Sequence, residues 1–527
     1  MKCLMSLAGG VMILSGAVNC YAAGDPPQSA VDPATLPRIG TIDERFQSYN
    51  IEMVEVTGGR FWKPYASAAE LSAASNQPSA NQPAGMSPSL YMYRPPINLS
   101  NARLRKLAAA LGPAYLRVSG TWANTTYLQN SDDPASANPP TGFNGVLTRK
   151  QWRGVVDFSR AANAALVTSF AISAGTRNAA GVWTADQAHQ FAAYTKSIGG
   201  NIAAAEFMNE PNIAAMGGAP KGYDATSYGR DVAAFRAFAR AELPEMIFLG
   251  PGSAGEGTLM TPASMSTLSS VDLLTATGPV FDAISYHSYG AVSSRCVSFG
   301  AASTTSAEAA LSEEWLARPA RIEAFYSGIR DRFEPSKPLW LTETAQAACG
   351  GDRWASTFLD SFRYLNQLGV LAKAGVQVHM HNTLAASDYG LLDESTYQPR
   401  PDYWAALLWH RLMGTTVLDA GPSPAPKLHL YAHCLRNHPG GVALLAINAD
   451  TEAAQTITLP VTAESYTLTA RSLQETHVEL NGVALQLDGE DNLPELKGVA
   501  LPPGPVKFAP ASITFLAIPQ AKNVSCQ

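Results

Sequence analysis

Charged residues are scarce in this sequence. Asp, Glu, Lys and Arg make up 15% of its 527 residues, and the formal net charge is −6. Proteins that bind nucleic acids carry a basic stripe or patch, so the composition argues against a nucleic-acid partner. It also makes a polyanionic substrate less obvious. Hydrophobic residues make up 46%, which suffices for a large core and for two domains.

Metal-binding motifs are missing as well. The sequence has no C-x-x-C motif, and no cluster of His and Cys has the spacing of zinc ligands. These absences argue against a structural zinc site, and we expect no bound metal.

The N-terminal segment 1–23 combines Lys2, an apolar middle and small residues near Ala22 and Ala23. This pattern is typical of a secretory signal peptide, and the segment is too short and too rich in glycine for a membrane span. An uncleaved N-terminal anchor is the alternative. We expect a secreted or periplasmic protein without stable membrane insertion.

Cleavage of this segment leaves four cysteines. An even number of cysteines in an exported chain predicts disulfides. Four cysteines allow three pairings, among which the residues alone do not choose. The four are Cys296, Cys349, Cys434 and Cys526.

Short apolar strands alternate with amphipathic helices through the middle of the chain. Eight such alternations predict a (β/α)₈ barrel, whose active site lies at the carboxyl ends of the strands. The helices include residues 101–112, 151–165, 227–243 and 357–375. The predicted strands are residues 50–56, 114–120, 165–173, 203–209, 246–252, 281–289, 338–345 and 376–382.

A second domain follows the barrel. Residues 416–527 contain short β-rich runs separated by turn residues, which predicts a β-sandwich. We assign residues 50–415 to the barrel and expect the preceding segment 24–49 to join the sandwich. Residues 67–85 and 130–145 are rich in Ser, Ala, Asn and Pro and indicate surface loops or rims of the barrel mouth.

Two glutamates stand at the ends of predicted strands. Glu210 follows strand four in "AAAEFMNEPN", and Glu343 ends strand seven in "PLWLTETA". In a barrel both side chains enter the same mouth, where two carboxylates can cleave a glycosidic bond without metal or organic cofactor. Pro211 helps to end the strand, and Asn209 is placed to hydrogen-bond a sugar hydroxyl. We therefore interpret Glu210 as the acid and Glu343 as the nucleophile.

Residues of strand six support this interpretation. "SYHSY" supplies His287 and Tyr289, which we expect to orient Glu343 and to keep it ionised. The alternatives are a solvated loop glutamate, a packed histidine, and a binding protein that kept the barrel but lost catalysis. The presence of both glutamates argues against the last.

With these residues in view, the chain resembles glycoside hydrolase family 79, the retaining barrel family of heparanase. The resemblance covers nearly the whole chain after the signal peptide, and its strength lies in a series of matches in the same order. They are "LRKLAAALGPAYLRVSGT" (104–121), "NEP" (209–211), "WLTETAQAACGG" (340–351), "SDYGLLDE" (387–394) and "PDYWAALLWHRLMGTTVL" (401–418).

The resemblance implies roles for further residues. It makes Glu210 the acid/base and Glu343 the nucleophile, and it makes Gly350, Gly351 and Tyr389 the groups that hold the carboxylate of a uronic acid. Close approach of backbone to an anion suits glycine. The resemblance also brings Thr121 and Glu52 near the same sugar.

The resemblance also implies a disulfide between Cys434 and Cys526, which leaves Cys296 and Cys349 as a further pair near the mouth. Some residues depart from mammalian heparanase, which has Asp at the position of Glu52, Asn at that of Val54 and a glycine at that of Cys349. The excised linker of that enzyme has no counterpart here. We expect a single uncut chain of bacterial type, acting as a monomer.

The expected activity is that of a retaining endo-β-glucuronidase acting on heparan sulfate or a similar glycosaminoglycan. An exo-acting β-glucuronidase is the alternative, and a related barrel enzyme acting on neutral sugars is another. Basic residues of "TRKQWR" (148–153), including Lys150 and Arg153, are candidates for substrate contacts, or simply a solvated start of a helix. The loop 250–257 offers Glu256 and no basic residue.

Overall fold

The computed structural model describes residues 29–65, 87–136, 138–257, 268–299 and 304–527. The predicted signal peptide 1–23 and the predicted surface loop 67–85 lie outside these ranges. Among the described helices, none combines the length and apolarity needed to cross a membrane.

Eight parallel strands form a closed barrel, which confirms the predicted fold class. We number them one to eight in chain order, and each pairs with its neighbours in that order around the barrel. Strands one to eight are Gln47–Glu52, Ala114–Ser119, Ala164–Ser169, Ile202–Glu206, Ile247–Ala254, Ala283–His287, Leu339–Thr344 and Val378–His381.

Helices follow the strands as the sequence predicts. Their apolar faces pack around the barrel in one large core. The described α-helices are Met53–Thr57, Ala102–Ala110, Arg149–Ala161, Asp186–Ser197, Ala225–Glu242, Ser270–Thr277, Glu313–Leu316, Arg318–Phe333, Phe358–Ala374 and Pro401–Leu412.

The first strand was predicted at residues 50–56 and lies instead at Gln47–Glu52, followed at once by the helix Met53–Thr57. The carboxylate of Glu55 accepts a hydrogen bond from the backbone N–H of Glu52 at 2.7 Å. This contact turns the chain out of the strand and into a helical turn. Strand four also ends early, at Glu206, so Glu210 lies four residues beyond its last residue.

The C-terminal part is built of two sheets that share an apolar core. The larger sheet takes in the N-terminal strand Arg38–Thr41, and the smaller sheet takes in Ser29–Ala30. The larger sheet contains Arg38–Thr41, Met413–Leu418, Leu428–Leu435, Val442–Asn448, Ser512–Ile518, Ala463–Thr469, Glu479–Leu480, Val483–Ala484 and Val499–Leu501. The smaller sheet contains Ser29–Ala30, Gln455–Leu459 and Gly504–Phe508.

The sandwich packs against the helix that follows strand seven. Tyr431 donates a hydrogen bond to Asn366 at 2.6 Å, and its ring lies over Gly369, where a Cβ atom would approach it to 2.3 Å. Gly369 therefore lets the helix Phe358–Ala374 lie close to the sheet. The sandwich thus braces one side of the barrel, outside the mouth.

The barrel interior is divided into two layers. The lower layer is apolar, and the upper layer, toward the carboxyl ends of the strands, carries buried charges such as Arg117 and Glu206. The apolar layer consists of Tyr115, Val167, Ala204, Leu249, Ala283, Trp340, Val378 and Met380. The charged layer is the floor of the mouth.

Candidate active site

Arg117 of strand two is the centre of the charged layer. Its side chain is 1% exposed, and its guanidinium lies 2.9 Å from Glu206 and 2.9 Å from Glu343. It also donates to the Oδ1 atom of Asn209 at 2.8 Å. A buried arginine is stable only when carboxylates compensate its charge, and here strands four and seven supply them.

Glu206 is the second buried charge and has no exposed surface. Burial alone would raise the pKa of its carboxyl, but Arg117, with help from His287, lowers it well below the usual range. Ser285 and Thr342 each donate to Glu206 Oε1 at 2.8 Å. Glu206 is therefore a fixed anion beneath the site.

Glu343 lies at the end of strand seven, where the sequence predicts it. Arg117 donates to its Oε2 atom at 2.9 Å, and the phenol of Tyr289 donates to its Oε1 atom at 2.5 Å. Asn382 in turn donates to the Tyr289 oxygen at 3.1 Å. Both oxygens of Glu343 are thus oriented by donors from other strand ends.

Glu210 stands on a strained turn after strand four. Its φ of 49° is left-handed, and Pro211 starts a 3₁₀ turn directly after it. Asn124 holds the preceding residue, because its side chain bonds both the N–H and the carbonyl of Asn209 at 2.9 Å. The backbone is thereby forced to point the Glu210 carboxyl into the mouth.

The two predicted catalytic glutamates are brought together. One carboxylate oxygen of Glu210, one of Glu343 and a ring nitrogen of His287 all lie within 4.8 Å of one another. Burial is the main cause that raises the pKa of Glu210, and the charge of Glu343 adds to it. Glu210 is therefore suited to hold a proton beside a second carboxylate.

The structure corrects the expected partner of His287. Its Nδ1 atom lies 3.1 Å from Glu210 and 3.7 Å from Glu343, so its hydrogen bond goes to Glu210 rather than to Glu343. Burial by itself would lower the pKa of His287, but the Glu343 charge and hydrogen bonds to Glu206 and Glu210 raise it to about 10. The ring is a cation at neutral pH.

Among the described residues, the same three side chains lie close enough together to hold a metal ion. They are Glu210, His287 and Glu343. A histidine must be neutral to ligate a metal. Because the pKa of His287 is raised to about 10, a metal ion would have to displace the proton of the ring near neutral pH. The arrangement suits proton transfer as it stands.

Glu52 ends strand one on the other side of the mouth. It is buried, and burial, followed by the charge of Glu343, raises the pKa of its carboxyl well above the usual range. Gly120, at φ 89°, makes room for it, since a Cβ atom there would lie 1.5 Å from Glu52 Oε2. Thr121 follows Gly120 at the end of strand two. Burial thus favours the uncharged form of the Glu52 carboxyl in the mouth.

The glycine loop, residues 349–351, lies beyond strand seven. Its three residues are all left-handed, with φ values of 64°, 85° and 81°. A Cβ atom on Gly351 would lie 3.2 Å from that of Tyr389, so the loop and the tyrosine are neighbours. The Tyr389 phenol accepts from Asn382 at 3.2 Å. Glycine at 350 and 351 permits these left-handed φ values and a close approach of the backbone to a ligand.

A strap of residues 59–65 and 87–94 rises from the end of strand one and crosses this side of the mouth. Its strands, Gly59–Trp62 and Tyr91–Arg94, form an antiparallel hairpin. Trp62 packs against a buried cluster that consists of Tyr289, Ala345, Ala355 and Tyr389. Its carbonyl accepts from Ser387 at 2.8 Å.

Sequence reasoning missed Arg117, Glu206, Asn382 and Trp62 as parts of the site. Arg117 and Glu206 carried a usable signal, because each is a charge within an apolar strand ("AYLRVSG" and "AAAEFMN"). Asn382 and Trp62 carried none. Two other residues that the sequence singles out lie outside the site. Arg153 donates a hydrogen bond to Tyr194 of the neighbouring helix at 3.2 Å. Glu256 accepts one from the N–H of Ser270 at 2.8 Å.

The described residues contain two disulfides. Cys434 pairs with Cys526 within the C-terminal part, and Cys296 pairs with Cys349 at the mouth. The second joins the segment after strand six to the first residue of the glycine loop.

Comparison with known proteins gives consistent matches. Heparanase-like protein 1 of Arabidopsis thaliana is 26% identical over 491 residues, covering 82% of this chain and 86% of the relative. Heparanase of Bos taurus is 28% identical over 499 residues, covering 81% and 86%. Baicalin-beta-D-glucuronidase of Scutellaria baicalensis is 36% identical over a shorter stretch of 209 residues, 37% of this chain and 40% of that protein.

Solved structures share the fold. A 4-O-alpha-L-rhamnosyl-beta-D-glucuronidase from Fusarium oxysporum superposes with a TM-score of 0.61 over 93% of this chain and 99% of its own, at 14% identity. The family model of the glycosyl hydrolase family 79 N-terminal domain matches residues 96–369, more than half of the chain. Together with the paired glutamates at the strand ends, this match shows that the chain belongs to glycosyl hydrolase family 79 and is a glycoside hydrolase.

Proposed function

We propose that this enzyme is a retaining β-glucuronidase in which Glu343 is the nucleophile and Glu210 the acid/base. The observation that carries the proposal is the separation of the two carboxylates, with one oxygen of each within 4.8 Å. Retaining enzymes place these groups about 5–5.5 Å apart, whereas inverting enzymes leave about 6.5–9.5 Å for a water. The separation supports direct attack by a carboxylate.

In the first step Glu343 attacks the anomeric carbon while Glu210 protonates the leaving oxygen. Arg117 and Tyr289 hold Glu343 in place and compensate its charge. The raised pKa of Glu210 lets it carry the proton into the reaction. Asn209 has its Oδ1 atom engaged by Arg117, so its amide group is oriented to donate to a sugar hydroxyl.

In the second step water hydrolyses the glycosyl-enzyme, and Glu210 takes the proton from that water. Formation of the covalent intermediate removes the negative charge of Glu343, one of the causes that raise the pKa of Glu210. That pKa should therefore fall after the first step, which suits the change from acid to base. The imidazolium of His287 stays beside Glu210 in both steps.

The glycine loop, Tyr389 and Glu52 support a uronate in the subsite next to Glu343. The N–H of Gly350 is the backbone donor that we expect the loop to offer to the carboxylate, and the raised pKa of Glu52 favours its uncharged form, which lessens repulsion. The names of relatives point the same way, since they include heparanases and glucuronidases. We also propose a secreted or periplasmic monomer, because the proposed site residues come from one chain and its disulfides need an oxidising compartment.

Substitution of Tyr389 by Phe tests the uronate assignment. We expect hydrolysis of 4-nitrophenyl β-glucuronide to fall by about tenfold to a hundredfold, because a lost hydrogen bond to a charged group costs about 1.5–3 kcal/mol. Hydrolysis of the matching glucoside should change far less. Tyr286→Phe is the control, since the buried Tyr286 hydroxyl has no hydrogen-bond partner. Equal losses on both substrates would refute carboxylate binding by Tyr389.

The strap favours removal of a terminal glucuronate. In a glucuronide, C5 carries the carboxylate, and its neighbour C4 carries the hydroxyl from which a longer chain would extend. Trp62 packs over Gly350, where a Cβ atom would lie 2.6 Å from the Trp62 Cβ, and against the buried cluster that includes Tyr389. The strap thus covers the side of the mouth toward which we expect a preceding sugar to extend, which supports exo action.

Endo cleavage of a heparan-like glycosaminoglycan is the second candidate. It is favoured by the heparanases, which align over about four fifths of the chain. Product sizes distinguish the two modes. Free glucuronic acid released from oligosaccharides with a terminal glucuronate supports the exo mode, whereas early fragments of intermediate length from heparan sulfate would replace it by the endo mode.

A further inference from the structure

Two consecutive residues, Arg295 and Cys296, hold the glycine loop from the segment after strand six. Cys296 is disulfide-bonded to Cys349, the first residue of the loop. Arg295 donates to the carbonyl of Gly351, its last residue, at 3.1 Å. Gly350 lies between these two points of attachment.

Arg295 also connects the loop to its surroundings. Its guanidinium lies 2.7 Å from Asp388 and 3.8 Å from the centre of the Tyr65 ring, and it donates to the carbonyl of Lys63. The Arg295 and Asp388 side chains are each 10% exposed. One side chain therefore joins the segments after strands six, seven and eight to the strap.

Ser293 adds a further contact to the same carbonyl. Its hydroxyl donates to Gly351 at 2.8 Å, and it also bonds the phenol of Tyr65. The loop needs this support because three successive left-handed residues form no regular structure that would hold them. The N–H of Gly351 is already engaged by the carbonyl of Ala347 at 3.1 Å. Of the two glycines, Gly350 is therefore the one whose N–H is available to a ligand.

We propose that Arg295 and Cys296 form a two-point clamp that positions the Gly350 amide for a substrate carboxylate. The clamp is a specificity device that touches no reacting atom. It rests on the proposed function, because it assumes that the glycine loop binds a uronate. Without the clamp, the loop would sample other conformations, and binding of glucuronides would weaken while the bond-breaking residues stayed in place.

Paired substitutions in the full-length enzyme test the clamp. For Cys296→Ser with Cys349→Ser, and separately for Arg295→Ala, we expect KM for 4-nitrophenyl β-glucuronide to rise about tenfold, as for one lost hydrogen bond. For Arg295→Ala, which leaves every residue of the loop in place, the kcat for this substrate and the hydrolysis of the matching glucoside should change less than twofold. Arg295→Lys should restore part of the loss, because lysine keeps the charge but not the planar fork of donors.

The second disulfide provides the matched control. Cys434→Ser with Cys526→Ser removes a disulfide from the C-terminal part, so the ratio of glucuronide to glucoside hydrolysis should stay unchanged. Thermal melting of each variant identifies loss of folding, and Arg295→Lys keeps the test decisive if the double cysteine variant does not fold.

Two negative results have different meanings. If Tyr389→Phe lowers the glucuronide-to-glucoside ratio but the folded Arg295 variants do not, the clamp is refuted and the proposed function stands. If neither changes the ratio, the uronate assignment fails and the clamp fails with it. A fall in kcat on both substrates alike would also overturn the clamp, since it would reveal damage to the catalytic residues.

Discussion

The two halves of the mouth are built in opposite ways. The catalytic half, formed by Arg117, Glu206, Glu210, His287 and Glu343, is dense in charge, and strands carry most of its members. The proposed recognition half, formed by Glu52, residues 349–351 and Tyr389, has a buried acid of raised pKa and a loop held by a disulfide. The first fixes geometry through buried ion pairs, and the second through a disulfide and the strap.

Under the proposed function, this difference would let a chain with few charges accept an anionic sugar. Burial makes an unpaired charge costly, and the cations of the catalytic half, Arg117 and His287, are already paired with its carboxylates. In the recognition half, the raised pKa of Glu52 favours its uncharged form. The backbone N–H of Gly350 could then receive a carboxylate without a dedicated arginine.

The largest expected effect is the loss of the nucleophile. Glu343→Gln should lower kcat by roughly 10⁴-fold or more on glucuronide and glucoside alike, because no covalent intermediate can form. Substrate binding, measured by isothermal titration, should persist, since the recognition half is untouched. A loss confined to glucuronides would break the division into two halves.

Glu210→Gln tests the proposed acid/base role of the other glutamate. Aryl glucuronides with good leaving groups need little protonation, so the first step should survive and the intermediate should accumulate. Added azide should then restore turnover and give the β-configured glucuronyl azide. A product of the opposite configuration would contradict the retaining mechanism and the assignment of both glutamates.

Glu206→Gln should produce the next largest effect. Removing one partner of a buried ion pair costs about 3–5 kcal/mol, so the unfolding midpoint in urea should fall markedly. The control is Glu334→Gln: this buried carboxylate accepts from the N–H groups of Val280 and Phe281, outside the mouth. The control should lower stability without changing the pH dependence of kcat/KM.

The pH dependence of stability follows from His287. Its folded pKa of about 10 lies above the ordinary value of 6.5, so its stabilising contribution is complete below pH 6.5 and is lost as pH rises through 10. Glu206→Gln removes one hydrogen bond that raises this pKa. The decline of the unfolding free energy between pH 6.5 and 10 should therefore be smaller in the variant. A steeper decline would show that Glu206 does not support the imidazolium.

Much of this architecture could be predicted from the sequence because it depends on local pattern. The eight strands follow from apolar runs, and Glu210 and Glu343 follow from their places at strand ends. The first strand was misplaced because its inward residues Ser48 and Asn50 are polar, so the apolar signal began too late. Barrel strands that line an active site break the pattern on which their detection depends.

Contacts between distant segments could not be predicted in the same way. Nothing near Arg117 in the chain shows that Glu206, 89 positions away, compensates it. The partner of His287 was predicted wrongly because strand order fixes which residues meet in the mouth but not which carboxylate oxygen lies nearer. The disulfide at Cys349 could be expected only because Cys296 and Cys349 remain once the resemblance pairs Cys434 with Cys526, and no local pattern shows it.

The smallest expected effect comes from substitution of Gly120, which tests the recognition half alone. Gly120→Ala places a Cβ atom 1.5 Å from Glu52 Oε2 at a left-handed φ of 89°, which should cost about 1–3 kcal/mol of stability. Gly154→Ala is the control: it lies in the helix Arg149–Ala161 with nothing within 4 Å of a Cβ, so it should stabilise by about 0.5–1 kcal/mol. Because Glu52 is the end of a flexible side chain, Gly120→Ala should mainly displace that carboxyl and raise KM for glucuronides at nearly constant kcat. A large fall in kcat would instead mean that Glu52 acts with the catalytic half, through its proximity to Glu343.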